Sequence, residues 1–364
     1  MKINKKILAC LLAAGILLPD LAYAAEVVIY DKSNIDDIYA EMKLTYDQDK
    51  VEERKNELIS EAKPKEEEKP NVLPSDKEID QIAKDLKKYE NSKDSLDESD
   101  IYPKVPVYEK VVDISEHQSP KNINYDKLAK SVDGAILRSS IRLKNNTLRK
   151  DKEVENHYRE LNQRNVPLGF YHYSRAINEK EALEEANFVL NVVRNKKVSL
   201  PIYIDIEDND RQAKATKAQI TAVADAFTKA IRRNGYVAGI YSYPHFANKY
   251  LSKKVRDENE FWVAEWKKDN SYPKYKQSHY DSWQYSSKGG VSGYKANIDK
   301  NILYRDYPLI MTGKSAKGYA KVADEVIAGK WGNGLIRKKR LEYAGYNYKL
   351  IQDEVNKKIR LRRI

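Results

Sequence analysis

Two carboxylates, two residues apart, close an apolar run of strand length: Ser199-Leu200-Pro201-Ile202-Tyr203-Ile204-Asp205-Ile206-Glu207-Asp208. The run is apolar and β-branched until its last residues, the pattern of a buried strand with acids at its C-terminal tip. Residues i and i+2 of a strand face the same side, roughly 6.5–7 Å apart at about 3.3 Å per residue, so Asp205 and Glu207 enter one pocket. Carboxylates crowded at an apolar strand end push each other's ionisation apart, and one can stay protonated as a general acid while another stays charged. That is the chemistry of glycoside hydrolysis. An Asp-x-Glu pair does not specify it alone, because acids at strand ends are commonly solvated loop residues or caps.

The elements that must position these acids alternate along the chain from Lys110. Strand-like runs fall at 110–115, 134–139, 167–173, 199–208 and 237–242. Helical spacing follows each of them, at 125–130, 150–163, 179–194, 217–234 and just after Pro244. Gly235 is placed to cap the fourth helix. Three further runs, 261–266, 279–285 and 296–299, have no helices between them. Five βα units and three plain strands argue for an α/β fold, a TIM-like barrel of (β/α)5(β)3 type. Chemistry in such barrels sits at the C-terminal strand ends. Asp113 is expected to end strand one, Asp205 and Glu207 strand four, and Asp299 strand eight, so four carboxylates ring one mouth. Tyr171, Tyr173, Tyr241, Trp266 and Trp283 fall around them as surfaces on which sugar rings can stack, whereas Trp262 and Phe170 read as core. His117 and His172 are candidates to line the same mouth.

Composition bounds the rest. Lys2, Lys5 and Lys6, an apolar run from Ile7 to Leu18, and Ala22-Tyr23-Ala24 before Ala25 make residues 1–24 a signal peptide. The single cysteine, Cys10, lies within it, so the mature chain carries no disulfide and must be held by its core. Residues 25–108 hold 14 Lys/Arg against 23 Asp/Glu, in a chain whose net charge is +11. They read as an acidic, partly helical extension or linker, with a capping box at Ser75-x-x-Glu78 and helical spacing at Ile79, Ile82, Ala83, Leu86 and Tyr89. The basic remainder has no basic stripe interleaved with aromatics, and an exported protein does not meet nucleic acid. Anionic wall polymers are the better match for that charge. No segment after the signal peptide is apolar enough to span a membrane. The five histidines show no pair at metal-ligand spacing, no serine sits in a nucleophile elbow, and no cofactor motif is present.

Taken together, Val112-Asp113-Ile114-Ser115-x-x-Gln118, Gly169-Phe170-Tyr171-His172-Tyr173, Tyr203-Ile204-Asp205-Ile206-Glu207, Phe261-Trp262-Val263-Ala264, Asp281-Ser282-Trp283-Gln284-Tyr285 and Ile298-Asp299-x-Asn301 resemble glycoside hydrolase family 25, the Chalaropsis-type lysozymes. The resemblance places a lysozyme barrel at 109–310. It implies an N-acetylmuramidase that cuts the β-1,4 bond between N-acetylmuramic acid and N-acetylglucosamine. It makes Glu207 the general acid, with Asp113, Asp205 and Asp299 orienting substrate or stabilising positive charge at the anomeric carbon. Ser139-Ser140-Ile141 departs from the family by lacking a glycine soon after strand two.

The C-terminal segment has apolar positions Val322, Val326, Ile327, Ile336, Leu341, Ile351 and Val355 that suit three short helices separated by glycine turns. With its Trp331-Gly332-Asn333-Gly334-x-x-Arg337 motif, the stretch 319–359 resembles the cell-wall-binding repeat of some phage lysozymes. That resemblance implies binding to peptidoglycan muropeptides. Trp331 suits either core or ligand contact, and Arg337 and Asp324 suit polar contacts. Where family members often carry tandem copies, one copy is found here, so little multivalent gain is expected. The sequence thus predicts a monomeric, secreted or wall-associated peptidoglycan hydrolase. A non-catalytic wall-binding protein and a phage-derived endolysin are the alternatives.

Overall fold

Alternation of side chains along each strand sorts the apolar residues into two layers. Ala135 and Leu137, Leu168 and Phe170, Ile202 and Ile204, Ala238 and Ile240, and Phe261 and Val263 point outward into one buried cluster beneath the helices. Their sequence neighbours Ile136, Tyr203, Tyr241, Trp262 and Ala264 belong to a second cluster that fills the ring of strands. A strand apolar on both faces requires cover on both, and a closed barrel wrapped by helices supplies it.

The structure, a computed structural model, describes residues 105–266 and 280–361. The signal peptide and almost all of the acidic extension, with its predicted helix, lie outside the described residues. In chain order the elements are β1 (Tyr108–Ile114), α1 (Tyr125–Ser131), β2 (Gly134–Arg142), β3 (Leu148–Lys150), α2 (Val154–Asn162), β4 (Leu168–Tyr173), α3 (Glu179–Val193), β5 (Ile202–Asp205), α4 (Lys217–Arg233), β6 (Ala238–Ser242), α5 (Pro244–Tyr250), α6 (Lys253–Asp257), β7 (Glu260–Ala264), β8 (Ser282–Ser286) and β9 (Asp299–Leu303). Four further helices follow: α7 (Tyr307–Thr312), α8 (Tyr319–Ile327), α9 (Gly334–Tyr343) and α10 (Tyr348–Leu361). No described helix is long and apolar enough to cross a membrane.

The ring runs β1-β2-β4-β5-β6-β7-β8-β9 and closes from β9 back to β1. Neighbours are parallel from β1 to β8, but β9 pairs antiparallel with both β8 and β1. This corrects the expectation for Asp299, which begins its strand rather than ending it. The residue still reaches the acid mouth because an antiparallel strand starts where its neighbours finish. β3 was not expected. Only three residues long, it folds back on the end of β2 through a turn with Asn146 at φ +69°. The longest of the barrel helices, α4, begins at a full capping box between Thr216 and Gln219, and Gly235 follows it at φ +81°.

Inside the ring Tyr203 lies so close to β6 that a Cβ on Gly239 would stand 2.5 Å from two of its ring carbons. Tyr203 in turn packs on Trp262, centroids 5.0 Å apart, and Trp262 on Tyr241 at 4.6 Å. Gly239→Ala is therefore expected to destabilise the barrel by about 1–3 kcal/mol through overpacking, read as a lower denaturant midpoint.

The three C-terminal helices form as expected, and they are joined to the barrel rather than strung from it. The interior cluster continues from Val107, Tyr108, Ile136 and Leu303 at the N-terminal end of the barrel through Tyr307 of α7 to Val326, Leu341, Ala344 and Tyr346 of the helices. Tyr343 OH donates to Oδ1 of Asp281 at 2.7 Å and to the carbonyl of Tyr280 at 3.2 Å. Arg305 donates to the Tyr343 carbonyl at 3.1 Å, and the Asp306 N–H to the Ala344 carbonyl at 2.8 Å. Tyr346 OH reaches Oδ2 of Asp306 at 3.0 Å. Asp281 also accepts from the Phe261 N–H at 2.9 Å, so one carboxylate ties β7, β8 and α9 together. The helices thus cover the end of the barrel opposite the acids.

Candidate active site

Asp113 and Asp299 are register partners in the antiparallel β1–β9 pair. Residues directly opposite each other share a face, with Cβ atoms about 4.5–5.5 Å apart, so both carboxyls meet inside the mouth. Asp205 ends β5 on the same inner face, in register with Tyr173 and Tyr241, and Glu207 follows two residues on. The structure therefore brings together all four acids that the sequence singled out.

Their ionisation is strongly perturbed. Burial pushes Asp113 well above the usual carboxylate range, and the charge of Asp299 adds to it. Burial raises Asp299 as well, with the hydrogen bond to Asp113 opposing that shift, so the two carboxyls titrate as one pair. Asp205 is also driven well above its ordinary range, first by burial and then by Glu207 and Asp113, against the opposing cation of Arg138. Its buried Oδ1 has no hydrogen-bond partner among the described residues. Glu207 is pushed up from 4.5 to about 7, by burial first and then by the charge of Asp299. A half-buried carboxylic acid that keeps its proton to neutral pH beside a charged carboxylate can protonate a leaving oxygen.

A buried polar floor supports the acids. Gln284 and Asn301 donate to Oδ2 of Asp113 at 3.0 and 2.8 Å. Trp262 Nε1 donates to Oδ1 of Asn301 at 2.9 Å, and Tyr241 OH and Trp266 Nε1 each donate to Oε1 of Gln284 at 3.0 Å. Arg138 is held by Asp151 at 2.7 Å and Glu116 at 3.0 Å. Arg149 grips Glu116 through both nitrogens and, with burial opposing, holds its carboxyl down at about 2. Gln284, Asn301 and Arg138 were missed as site residues. Strand parity was the available signal, since Asn301 stands two residues after Asp299.

The aromatic residues divide. Trp266 is 60% exposed just past β7 and offers an open ring at the mouth. Tyr171 and Tyr173 are half-buried on the inner face of β4, and Tyr241 is buried with its hydroxyl committed to Gln284. Trp283 corrects the expectation. It has the opposite parity to Gln284, is 2% exposed, and its indole belongs to the outer core while Nε1 donates to the Glu265 carbonyl. His172 likewise faces away from the mouth, buried behind β4 on the ring of Phe227 and bonded to Ser140 Oγ at 2.8 Å. Ser139 Oγ donates to the Tyr171 carbonyl at 2.8 Å, so the two serines standing where a glycine was expected knit β2 to β4. His117 is exposed.

In the C-terminal helices Trp331 is core and not a ligand surface. It is 1% exposed, packs edge-on against Tyr346, and donates through Nε1 to Glu325 at 3.1 Å. Asp324 is exposed and meets Lys358 at 2.9 Å. Arg337 is half-buried, its guanidinium 6.0 Å from the centre of the Tyr348 ring.

Four carboxyls gathered at one mouth of a mostly parallel barrel, with burial raising Glu207, are the arrangement that glycoside hydrolysis requires. The family model for glycosyl hydrolases family 25 matches residues 112–294, just over half of the 364 residues, and the chain belongs to that family. The model of the CW_7 repeat matches residues 320–359. A lysozyme of Streptococcus phage Cp-7 is 32% identical over 203 residues, which are 52% of this chain and 55% of the phage protein. The chain thus spans about half the length of that curated relative. Among solved structures, it is similar to the modular autolysin LytC from Streptococcus pneumoniae in complex with a synthetic peptidoglycan ligand (25% identity, TM-score 0.47, 54% of this chain and 47% of that one). It is also similar to the bacterial lysozyme from Streptomyces coelicolor (18% identity, TM-score 0.46, 56% of this chain and 97% of that one).

Proposed function

We propose that the chain is a secreted N-acetylmuramidase, a lysozyme that cuts the β-1,4 bond between N-acetylmuramic acid and N-acetylglucosamine in bacterial peptidoglycan. The observation that carries this reading is Glu207, an acid that keeps its proton to about pH 7 at the open mouth of a family 25 barrel. Protonated Glu207 donates to the glycosidic oxygen as its bond to the anomeric carbon breaks. The carboxylate charge of the Asp113–Asp299 pair stabilises the positive charge that builds at that carbon, and Oδ1 of Asp205, without a partner among the described residues, is an acceptor for a sugar hydroxyl. In this reading residues 1–24 are removed on export, 25–108 are an extension, 109–310 the hydrolase and 319–359 a wall-binding repeat. Asp324 and Arg337 are polar contacts of that repeat. The basic charge of the barrel and repeat draws the monomer to anionic wall polymers.

Trp266 supplies a stacking face for one sugar, with Tyr171 and Tyr173 deeper in the mouth. Trp266→Ala is expected to raise KM roughly fivefold, the equivalent of about 1 kcal/mol of lost aromatic contact, with kcat changed less. Initial rates across a range of wall concentrations check it.

The reading itself is tested by digesting purified peptidoglycan with the chain lacking residues 1–24 and weighing the borohydride-reduced fragments. Reduced muramic acid ends are the expected product. Reduced glucosamine ends would keep a glycosidase but overturn the bond assignment, and wall binding without fragments would overturn the activity.

A further inference from the structure

Two buried amides sit beneath the acids, and their orientation is fixed by their neighbours. The carbonyl oxygen of Asn301 accepts the Trp262 indole N–H, and that of Gln284 accepts the Trp266 indole N–H together with Tyr241 OH. An indole N–H can only donate. Both amide nitrogens must therefore point the other way, and both meet the same atom, Oδ2 of Asp113. With two N–H donors on one oxygen, Asp113 is held in a single orientation opposite its register partner Asp299.

Taking the glycosidase reading above as given, we propose that Gln284 and Asn301 are positioning residues of the reaction. Their N–H groups hold Asp113 by one oxygen and favour ionisation of the Asp113–Asp299 pair, so that a carboxylate charge stands beside Glu207. Neither amide needs to touch the sugar. They act through Asp113 on Asp299, and through Asp299 on the acid that protonates the leaving group.

The other charged and titratable groups around the pair are Asp205 and Glu207 from β5 and its following loop, Arg138 of β2, Tyr171 of β4 and Tyr241 of β6. Donors onto a carboxyl oxygen favour its charged form. Removing one makes the pair hold protons more tightly. Asp299 is then neutralised at higher pH on the acid side. With less charge beside it, Glu207 loses its proton at lower pH on the basic side, so the pH range of activity narrows from both ends.

The test is the pH dependence of kcat/KM on purified peptidoglycan for wild type, Gln284→Met and Asn301→Leu. The methionine keeps the length of Gln284 without its hydrogen bonds. The leucine nearly keeps the shape of Asn301 but neither donates to Asp113 nor adds a charge. In both variants the acid limb is expected to move up by about one pH unit and the basic limb to move down. A uniform fall in rate with both limbs unmoved would mark the amides as merely structural and overturn the proposal. Carbon-13 titration of the Asp113 and Asp299 carboxyls in wild type tests the same claim without any variant: one charge held by the pair at pH 7 supports it, and a pair fully protonated at pH 7 overturns it. Wild-type protein that cuts no glycan would overturn the glycosidase reading, and the proposal with it, a result distinct from unmoved limbs in an active enzyme.

Discussion

Glu207→Gln is expected to lower the rate of peptidoglycan cleavage by about 10²–10⁴-fold, the usual contribution of a positioned general acid. The amide keeps the size of the side chain and its place two residues beyond the strand end, so wall binding and the fold should survive. The same substitution is expected to stabilise the protein at pH 8. The folded state raises Glu207 from 4.5 to about 7. Whatever stability this group contributes is present in full below its unfolded value of 4.5 and is lost as pH rises through about 7. Above that, a half-buried charge faces Asp299, and glutamine removes it. Thermal unfolding at pH 4 and pH 8 checks the sign: the midpoints of variant and wild type should lie close at pH 4 and separate at pH 8, with the variant higher. An inactive variant less stable at both pH values would point to a structural role for Glu207.

Deleting residues 314–364 is expected to cost the barrel its cooperative fold. Val107, Tyr108, Leu303 and Tyr307 are buried in the cluster that α8, α9 and α10 complete. Each large side chain uncovered costs on the order of 2 kcal/mol, and four of them approach a typical net stability of about 5–15 kcal/mol. Asp281, Asp306 and Arg305 also lose partners on α9 and just beyond it. Circular dichroism melting of the truncated chain should show a broad or strongly lowered transition. Tyr343→Phe, which removes the hydrogen bonds to Asp281 and Tyr280, should cost about 1–2 kcal/mol. A truncated barrel that melts like the full chain would show that the repeat is only an attached module.

Most of the mouth was legible because strand ends and periodicity are local features. The apolar run into Asp205 and Glu207, the valines leading to Asp113, and the helical spacing between strands all carry their own signals. Non-local facts were harder to read. The antiparallel course of β9 depends on closing the ring, so Asp299 reached the right mouth from the wrong end of its strand. Parity about Gln284 was present in the sequence, yet Trp283 was placed at the mouth by its aromatic character when its alternation assigns it to the outer core. Arg138 lies in the middle of β2, and only the structure shows Asp151 and Glu116 holding it beside Asp205. The union of barrel and repeat rests on Tyr343 and Asp281, 62 residues apart, which no local pattern connects.

The claim that most of this account depends on is that protonated Glu207 is the acid of the reaction. The direct measurement is kcat/KM for wild-type protein on purified peptidoglycan between pH 4 and 9, beside the residual rate of Glu207→Gln. Wild type should show a basic limb with an apparent pKa of about 7, absent from the residual activity of the variant. Wild-type activity undiminished to pH 9, or a limb at the same pH in the variant, would contradict it.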